Sequence, residues 1–168
     1  MNEEFKKALI PEGKTILVGI GNDLRGDDGV GPYIANRLIS KNNENFKVIN
    51  AGPVIENFVE EIINFAPSKL IIIDAAFFNG KGGQAMVLEE EKLSDHNIIT
   101  THSIPLTAIL KIIREDLKSV KISIIGIQPE KIDFSEELTS NVKKTADEIV
   151  NFYNDHLSYV SSPLTGEG

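Results

Sequence analysis

Short, unbroken apolar runs alternate along this chain with segments whose apolar residues recur at helical spacing. The runs predict strands at residues 15–20, 46–51, 69–76, 84–89 and 120–127. The helical spacing predicts helices that begin near Val30, Ile55, Leu106 and Leu138. Strands that alternate with helices in this way predict a three-layer α/β domain around a mostly parallel sheet.

The segment at residues 69–76 is predicted to lie at the centre of the sheet. It contains an uninterrupted Leu-Ile-Ile-Ile, which is typical of a strand that is covered on both faces. Only the glycine-rich turn at residues 79–83 separates it from the strand at residues 84–89, and so short a connection favours an antiparallel return. We expect a single domain over residues 1–160 and a mobile tail over residues 161–168.

The composition excludes several classes of protein and of site. The net charge of −8 argues against a nucleic-acid partner, and the absence of cysteine excludes disulfides, thiolate nucleophiles and cysteine-based metal centres. The longest apolar runs fall far short of the ~20 residues that span a bilayer. Residues 1–7 lack the apolar core of a signal peptide. We therefore expect a cytoplasmic protein with no membrane insertion.

Three polar side chains from distant parts of the chain are predicted to meet at one edge of the sheet. Asp28 follows the first strand, Asp74 lies at the end of the third strand, and His102 precedes the third helix. Ligands of such sheets bind where the parallel strands end, and the ~11 residues before His102 could span about 35 Å to return there. Two carboxylates and an imidazole suit a divalent transition metal, and they could equally position a water for hydrolysis.

Each of these three residues also has a structural interpretation. Asp28 could cap the first helix, although Asp27 is the better candidate for that cap. His102 could be a structural histidine near a helix start. The surroundings of Asp74 favour a functional role over a structural one. A carboxylate that ends an Ile-Ile-Ile strand is costly to bury unless something binds it.

Other well-known catalytic and nucleotide-binding motifs fail in this chain. Leu24 stands where a G-x-G-x-x-G motif would need its last glycine, and Asp27 stands where a phosphate-binding loop would need lysine. Neither G-x-S-x-G nor H-E-x-x-H occurs. These absences argue against dinucleotide binding, serine-hydrolase chemistry and zincin chemistry.

Five short segments, taken in order, carry a resemblance to a known family. They are residues 19–32 (GIGNDLRGDDGVGP), 50–52, 71–75, 100–106 and 126–129. The ordered set resembles the hydrogenase maturation endopeptidases, which remove a C-terminal extension from the large subunit of nickel–iron hydrogenases. The last two segments most resemble the branch that serves hydrogenase 3 and deazaflavin-reducing hydrogenases. The resemblance implies an α/β/α sandwich with a five-stranded, mostly parallel sheet and one antiparallel strand.

The resemblance also implies a metal site and a substrate. The family's three metal-contacting residues match Asp28, Asp74 and His102, and the two aspartates would be the catalytic residues of an aspartate-type endopeptidase. The nickel would arrive already bound to the hydrogenase large-subunit precursor, so that no resident cofactor is needed. A surrogate divalent cation could occupy the same site.

Further residues are expected to contact that substrate. Gly29, Gly52 and Gln128 would line its groove, and residues 77–83 and 93–99 would form its recognition surface. Two other functions stay open. One is a stand-alone metal-dependent hydrolase that uses the same three residues, and the other is a noncatalytic checkpoint that binds nickel-loaded hydrogenase without cutting it.

Overall fold

The computed structural model describes residues 1–94, 99–100 and 105–160 of the chain. His102 and the predicted tail at residues 161–168 lie outside the described residues. The strands are β1 (Thr15–Ile20), β2 (Phe46–Gly52), β3 (Lys69–Phe77), β4 (Ala85–Leu88), β5 (Ile99–Thr100) and β6 (Lys121–Ile127).

One helix precedes β1, and the others follow β1, β2, β5 and β6 along the chain. They are α1 (Glu3–Leu9), α2 (Val30–Leu38), α3 (Val59–Phe65), α4 (Leu106–Asp116) and α5 (Ser140–Val160). Short 3-10 turns at Gly26–Gly29 and Ile55–Phe58 lead into α2 and α3. In the part of the chain that is described, no helix combines the length and the apolar character that crossing a membrane requires.

The strands form one sheet with β3 at its centre. Its order is β2-β1-β3-β6-β4, in which β4 alone runs antiparallel to its neighbour on this path. The predicted five-stranded, mostly parallel sheet with one antiparallel strand is confirmed. The two-residue β5 was not predicted, and it pairs antiparallel with the last residues of β3.

Side chains that alternate along β3 contribute to two separate apolar cores, one on each face of the sheet. Ile71 and Ile73 belong to the core that contains residues of α1, α2 and α5. Leu70 and Ile72 belong to the core that contains residues of α3 and α4. The arrangement is the predicted three-layer α/β/α sandwich, in which β3 is buried from both sides.

Helix α1 was not predicted, although it has a clear local cause. The side chain of Asn2 accepts a hydrogen bond from the backbone N–H of Phe5 (2.8 Å), which caps the first turn. Phe5, Ala8 and Leu9 are buried against the sheet-and-helix core. The segment is too short for its apolar spacing to be distinguished from chance in the sequence.

Candidate functional site

Asp74 lies at the carboxyl edge of the sheet, at the point where β1 leaves its pairing with β3. That pairing ends at Gly19 and Ile73, whereas β3 stays paired with β6 past Asp74, as far as Ala75 and Ile127. The Asp74 side chain is 2% exposed, and by alternation it shares the face of Ile72. β3 continues to Phe77, so the carboxylate lies within the last half of the strand, just beyond the point at which β1 stops pairing with it.

Asp28 is brought to the same edge by close packing of the start of α2. Gly31 contacts the sheet so closely that a Cβ at this position would lie 2.7 Å from the carbonyl oxygen of Ile73 and closer still to that of Ile20. Asp28 lies one turn earlier and is 2% exposed, and its Oδ2 accepts a hydrogen bond from the backbone N–H of Asn22 (3.1 Å). A residue larger than glycine would move this turn away from the strand ends.

Asp27 does not cap α2, and that prediction is wrong. The cap position is Gly29, and no side chain caps the helix there. The Asp27 carboxylate points instead to the connection between β6 and α5. Its Oδ2 accepts the N–H groups of Glu130 (2.8 Å) and Lys131 (2.9 Å), and its Oδ1 accepts that of Thr139 (2.7 Å). The Asp27 side chain thus binds a loop that is distant in the sequence instead of the start of α2, and the local sequence pattern does not reveal this loop.

His102, the third predicted metal ligand, lies outside the described residues. The nearest described residue before it is Thr100, whose Cα pairs with that of Ala76 near the end of β3. Among the residues that the structure describes, no three histidine, cysteine or acidic side chains group together as a metal site. The three-residue metal site therefore stays a prediction.

Gln128 follows β6 at the same edge and organises the predicted recognition loop at residues 77–83. Its Oε1 accepts the backbone N–H groups of Phe78 (2.9 Å) and Gly80 (3.1 Å), and the residue is 7% exposed. The sequence does not reveal this structural role. The position of Gln128 after a strand places it at the carboxyl edge of the sheet, but it does not show which loop its side chain contacts. Its contact with substrate stays a prediction.

The two predicted substrate-contacting glycines differ in their surroundings. Gly29 is closely packed, since a Cβ there would lie 2.9 Å from the Cα of Asp23. Gly52 has φ +55° and no atom within 4 Å of the position that a Cβ would take. Gly52 therefore faces open space at the end of β2, where a ligand has room to approach.

A groove of about 270 Å³ adjoins the turn that carries Asp28. Gly29, Tyr33, Arg37 and Leu138 are among its lining residues. Burial and the hydrogen bond to Asp147 (2.7 Å) raise the pKa of Tyr33, so its phenol stays protonated as a donor at neutral pH. One wall of this groove is thus fixed between α2 and α5.

A cavity of about 540 Å³, twice the volume of this groove, lies at the opposite end of the strands. Glu12, Ser68 and Lys121 are among the residues that line it. Ligands of open α/β sheets bind beyond the carboxyl ends of the strands, where Asp28 and Asp74 are found. Volume alone therefore does not identify the functional edge.

Comparison with known proteins assigns the chain to a family. The family model described as "Hydrogenase maturation protease" matches residues 32–155. A putative hydrogenase maturation protease of Methanocaldococcus jannaschii is 33% identical over 146 residues, which cover 82% of this chain and 85% of that protein. The chain belongs to the hydrogenase maturation protease family.

Other relatives place the chain in the same family by sequence and by structure. The hydrogenase 3 maturation protease of Escherichia coli is 28% identical over 134 residues, which cover 80% of this chain and 85% of that protein. The crystal structure of the NiFe hydrogenase maturation protease HycI from Thermococcus kodakarensis superposes with a TM-score of 0.82 at 27% identity, covering 93% of this chain and 99% of that one. The protein is thus a hydrolase of the peptidase class, and the predicted family is confirmed.

Proposed function

We propose that this protease removes the C-terminal extension of a nickel-loaded hydrogenase large-subunit precursor and recognises the nickel that the substrate carries. Asp28, Asp74 and His102 complete the coordination of that nickel in the proposal. The observation that carries it is the placement of two almost fully buried acids, from distant parts of the chain, at one edge of the sheet. Carboxylates at the edge where ligands of such sheets bind are suited to hold a divalent cation.

The direction of β5 supports the inclusion of His102. The chain passes from beside Phe77 to beside Ala76, that is, toward Asp74. His102 is the second residue after Thr100, and two residues of chain span at most about 7 Å. The imidazole is therefore within reach of the edge on which the two acids lie.

Nickel that the precursor already binds can accept further ligands, and two carboxylates and an imidazole suit it. If the protease binds its substrate through nickel, it binds the nickel-loaded precursor more tightly than the nickel-free one. This difference in affinity makes it selective for the loaded form. For cleavage, an Asp28 or Asp74 carboxylate beside the scissile carbonyl takes a proton from the attacking water, as an aspartate-type peptidase would. The same carboxyl group then gives that proton to the amine that leaves when the peptide C–N bond breaks, which restores the carboxylate. The metal is part of the substrate, a surrogate divalent cation can stand in for it, and we expect the reaction in the cytoplasm.

The test compares nickel-loaded and nickel-free precursor as substrates for the same purified protease. We expect the large subunit to shorten only when it is nickel-loaded, as measured by gel mobility and by the intact mass of both products. Binding of the loaded precursor without shortening would favour the noncatalytic checkpoint. Cleavage of both forms would contradict nickel recognition. If the protease copurifies with its own metal and hydrolyses generic small substrates, the stand-alone hydrolase would be favoured.

A further inference from the structure

Asp27 is a fully buried carboxylate that the proposed chemistry does not use. Besides three backbone N–H groups, it accepts the hydroxyl of Thr139, whose Oγ1 lies 2.9 Å from Oδ2 and 3.1 Å from Oδ1. Its exposed fraction is 0%. Bonds of this kind to an ionised acceptor are stronger than those between neutral groups. So many of them on one buried side chain fix its position closely.

The backbone around Asp27 joins the same two segments. The N–H of Asp27 donates to the carbonyl of Lys131 (3.0 Å), and the N–H of Gly26 donates to that of Ser135 (2.7 Å). The N–H of Ser135 in turn donates to the carbonyl of Leu24 (3.0 Å). The turn before α2 and the connection between β6 and α5 are therefore held together along their length.

The same turn carries Asp28 and its own contacts. The N–H of Asp28 donates to the carbonyl of Arg25 (3.2 Å), and its Oδ2 accepts the N–H of Asn22. The Oδ1 of Asn22 accepts the N–H of Leu24 (3.0 Å), which closes a short network around the Asp28 carboxylate. A shift of the turn at Asp27 would change every contact in this network.

We infer that Asp27 is a positioning residue: its buried carboxylate ties the connection between β6 and α5 to the turn that presents Asp28. It holds that carboxylate in place for the substrate's metal and touches neither metal nor substrate. The inference rests on the proposed function for its effect on cleavage. Its structural part, the fixing of the Asn22–Asp28 contact, does not depend on that function.

The experiment compares Asp27→Asn with Tyr153→Phe in the full chain. The carboxamide of Asn keeps one acceptor oxygen but replaces the other with an NH₂ group. That group faces N–H donors of the connection between β6 and α5, so hydrogen bonds of this connection are lost. Tyr153→Phe is the matched control, because it removes another fully buried hydrogen bond, from its hydroxyl to the carbonyl of Leu9 (2.7 Å), in the packing of α5 on α1. Both variants lose stability, and only the first loses the positioning contact.

Two measurements separate positioning from stability. The first is hydrogen exchange of the Asn22 amide relative to that of Ile72 in β3, followed by NMR. We expect Asp27→Asn to lower this relative protection about tenfold and Tyr153→Phe to leave it unchanged. The second is kcat/KM on nickel-loaded precursor, which we expect Asp27→Asn to lower on the order of tenfold or more relative to Tyr153→Phe.

Each result decides one question. Unchanged relative protection of Asn22 in Asp27→Asn would overturn the inference, and so would lowered protection with unchanged cleavage. If wild-type protease cleaves no precursor while Asn22 protection still falls, the proposed function fails and the positioning of Asp28 stands. Should Asp27→Asn not fold, Thr139→Val removes only the hydroxyl donor, and it must produce smaller changes in the same direction.

Discussion

At the scale of single residues, the candidate site depends on close contact between α2 and two strands. Gly19 and Gly31 face each other so closely that a Cβ on Gly19 would collide with the carbonyl oxygen of Gly31. A Cβ on Gly31 would meet the backbone of Ile20 and Ile73. The missing side chains thus let the turn that carries Asp28 reach the ends of β1 and β3.

We expect Gly31→Ala to destabilise the protein more than Gly52→Ala does. Overpacking against backbone atoms costs about 1–3 kcal/mol, and the clashing atoms of Ile20 and Ile73 belong to rigid strands. Gly52→Ala meets no atoms and carries only the cost of a positive φ, about 1 kcal/mol. Urea unfolding of both variants measures the difference, and equal losses would contradict the close packing at Gly31.

Asp74→Ala is expected to fold and to lose processing of the precursor. It removes a buried carboxylate and not an apolar side chain of the core, so the free energy of unfolding should change little. Loss of this proposed nickel ligand should lower cleavage by more than about a hundredfold. Circular dichroism and the intact mass of the large subunit measure the two effects.

The control for Asp74→Ala is Asp116→Ala, which removes an exposed acid at the end of α4. It should leave both fold and processing unchanged. An unfolded Asp74→Ala protein would show that the residue is structural, and undiminished processing would remove it from the site.

Individual residues of the site were predictable to different degrees. The positions of Asp28 and Asp74 at one edge follow from strand order, which the sequence pattern contains. The role of Asp27 does not follow, because its partners Glu130 and Thr139 are more than a hundred residues away along the chain. Side-chain partners at such separations depend on tertiary packing and leave no local pattern.

At the scale of elements, the loop at residues 77–83 is held from outside itself. The side chain of Gln128 accepts two of its backbone N–H groups, and the N–H of Gly83 donates to the carbonyl of Gln128 (2.8 Å). Backbone groups in a loop need such partners when water is excluded from them. The conformation of the predicted recognition loop thus depends on a residue of the connection after β6.

Gln128→Ala is expected to loosen that loop while the sheet persists. Loss of the acceptor leaves the N–H groups of Phe78 and Gly80 without this partner, which should cost about 1–3 kcal/mol. Hydrogen exchange of these two amides should accelerate. Gln84→Ala is the matched control, because the side-chain Oε1 of Gln84 accepts a different backbone N–H of the same loop, that of Lys81 (3.1 Å). Equal exchange in both variants would contradict the proposed anchoring.

Whole elements were predictable where the hydrophobic period is long enough. The strands at residues 15–20 and 69–76 match β1 and β3 closely, since unbroken apolar runs have few alternatives. Helix α1 was not predicted because it is short, and the contacts that hold it to the rest of the fold come from distant residues. The hydroxyl of Tyr153 donates to the carbonyl of Leu9, and Lys69 donates to that of Lys7 (3.1 Å). The two-residue β5 is below the length at which any period can be recognised.

At the scale of the whole molecule, the two ends of the sheet carry different groups of polar residues. The carboxyl edge holds the candidate site, whereas the amino edge holds a charged cluster around Glu12. Its carboxylate contacts Lys69 at the start of β3 (3.3 Å) and Lys121 at the start of β6. Lys69 is 2% exposed, and burial lowers its pKa although Glu12 opposes the shift. The cluster links the segment after α1 to two strands of the sheet.

This cluster predicts a pH-dependent contribution to stability. The hydrogen bond from Lys121 holds the pKa of Glu12 below its ordinary value of 4.5, although burial opposes the shift. A carboxyl whose pKa is lower in the folded state stabilises that state above its unfolded pKa, and the effect is lost as the pH falls through the folded value. Glu12→Gln should therefore destabilise at pH about 7 and much less at pH about 3. Because Glu12 is partly exposed and water screens its ion pairs, the loss at neutral pH should be at most about 1 kcal/mol.

Urea unfolding at both pH values, with salt held constant, measures this difference. Glu115→Gln, on the exposed side of α4, is the matched control and should change stability by less than about 0.5 kcal/mol at either pH. A loss for Glu12→Gln that is as large in acid as at neutral pH would mean that the residue acts through packing and not through its charge. Because the cluster lies at the opposite edge from Asp28 and Asp74, Glu12→Gln should leave precursor cleavage unchanged at neutral pH.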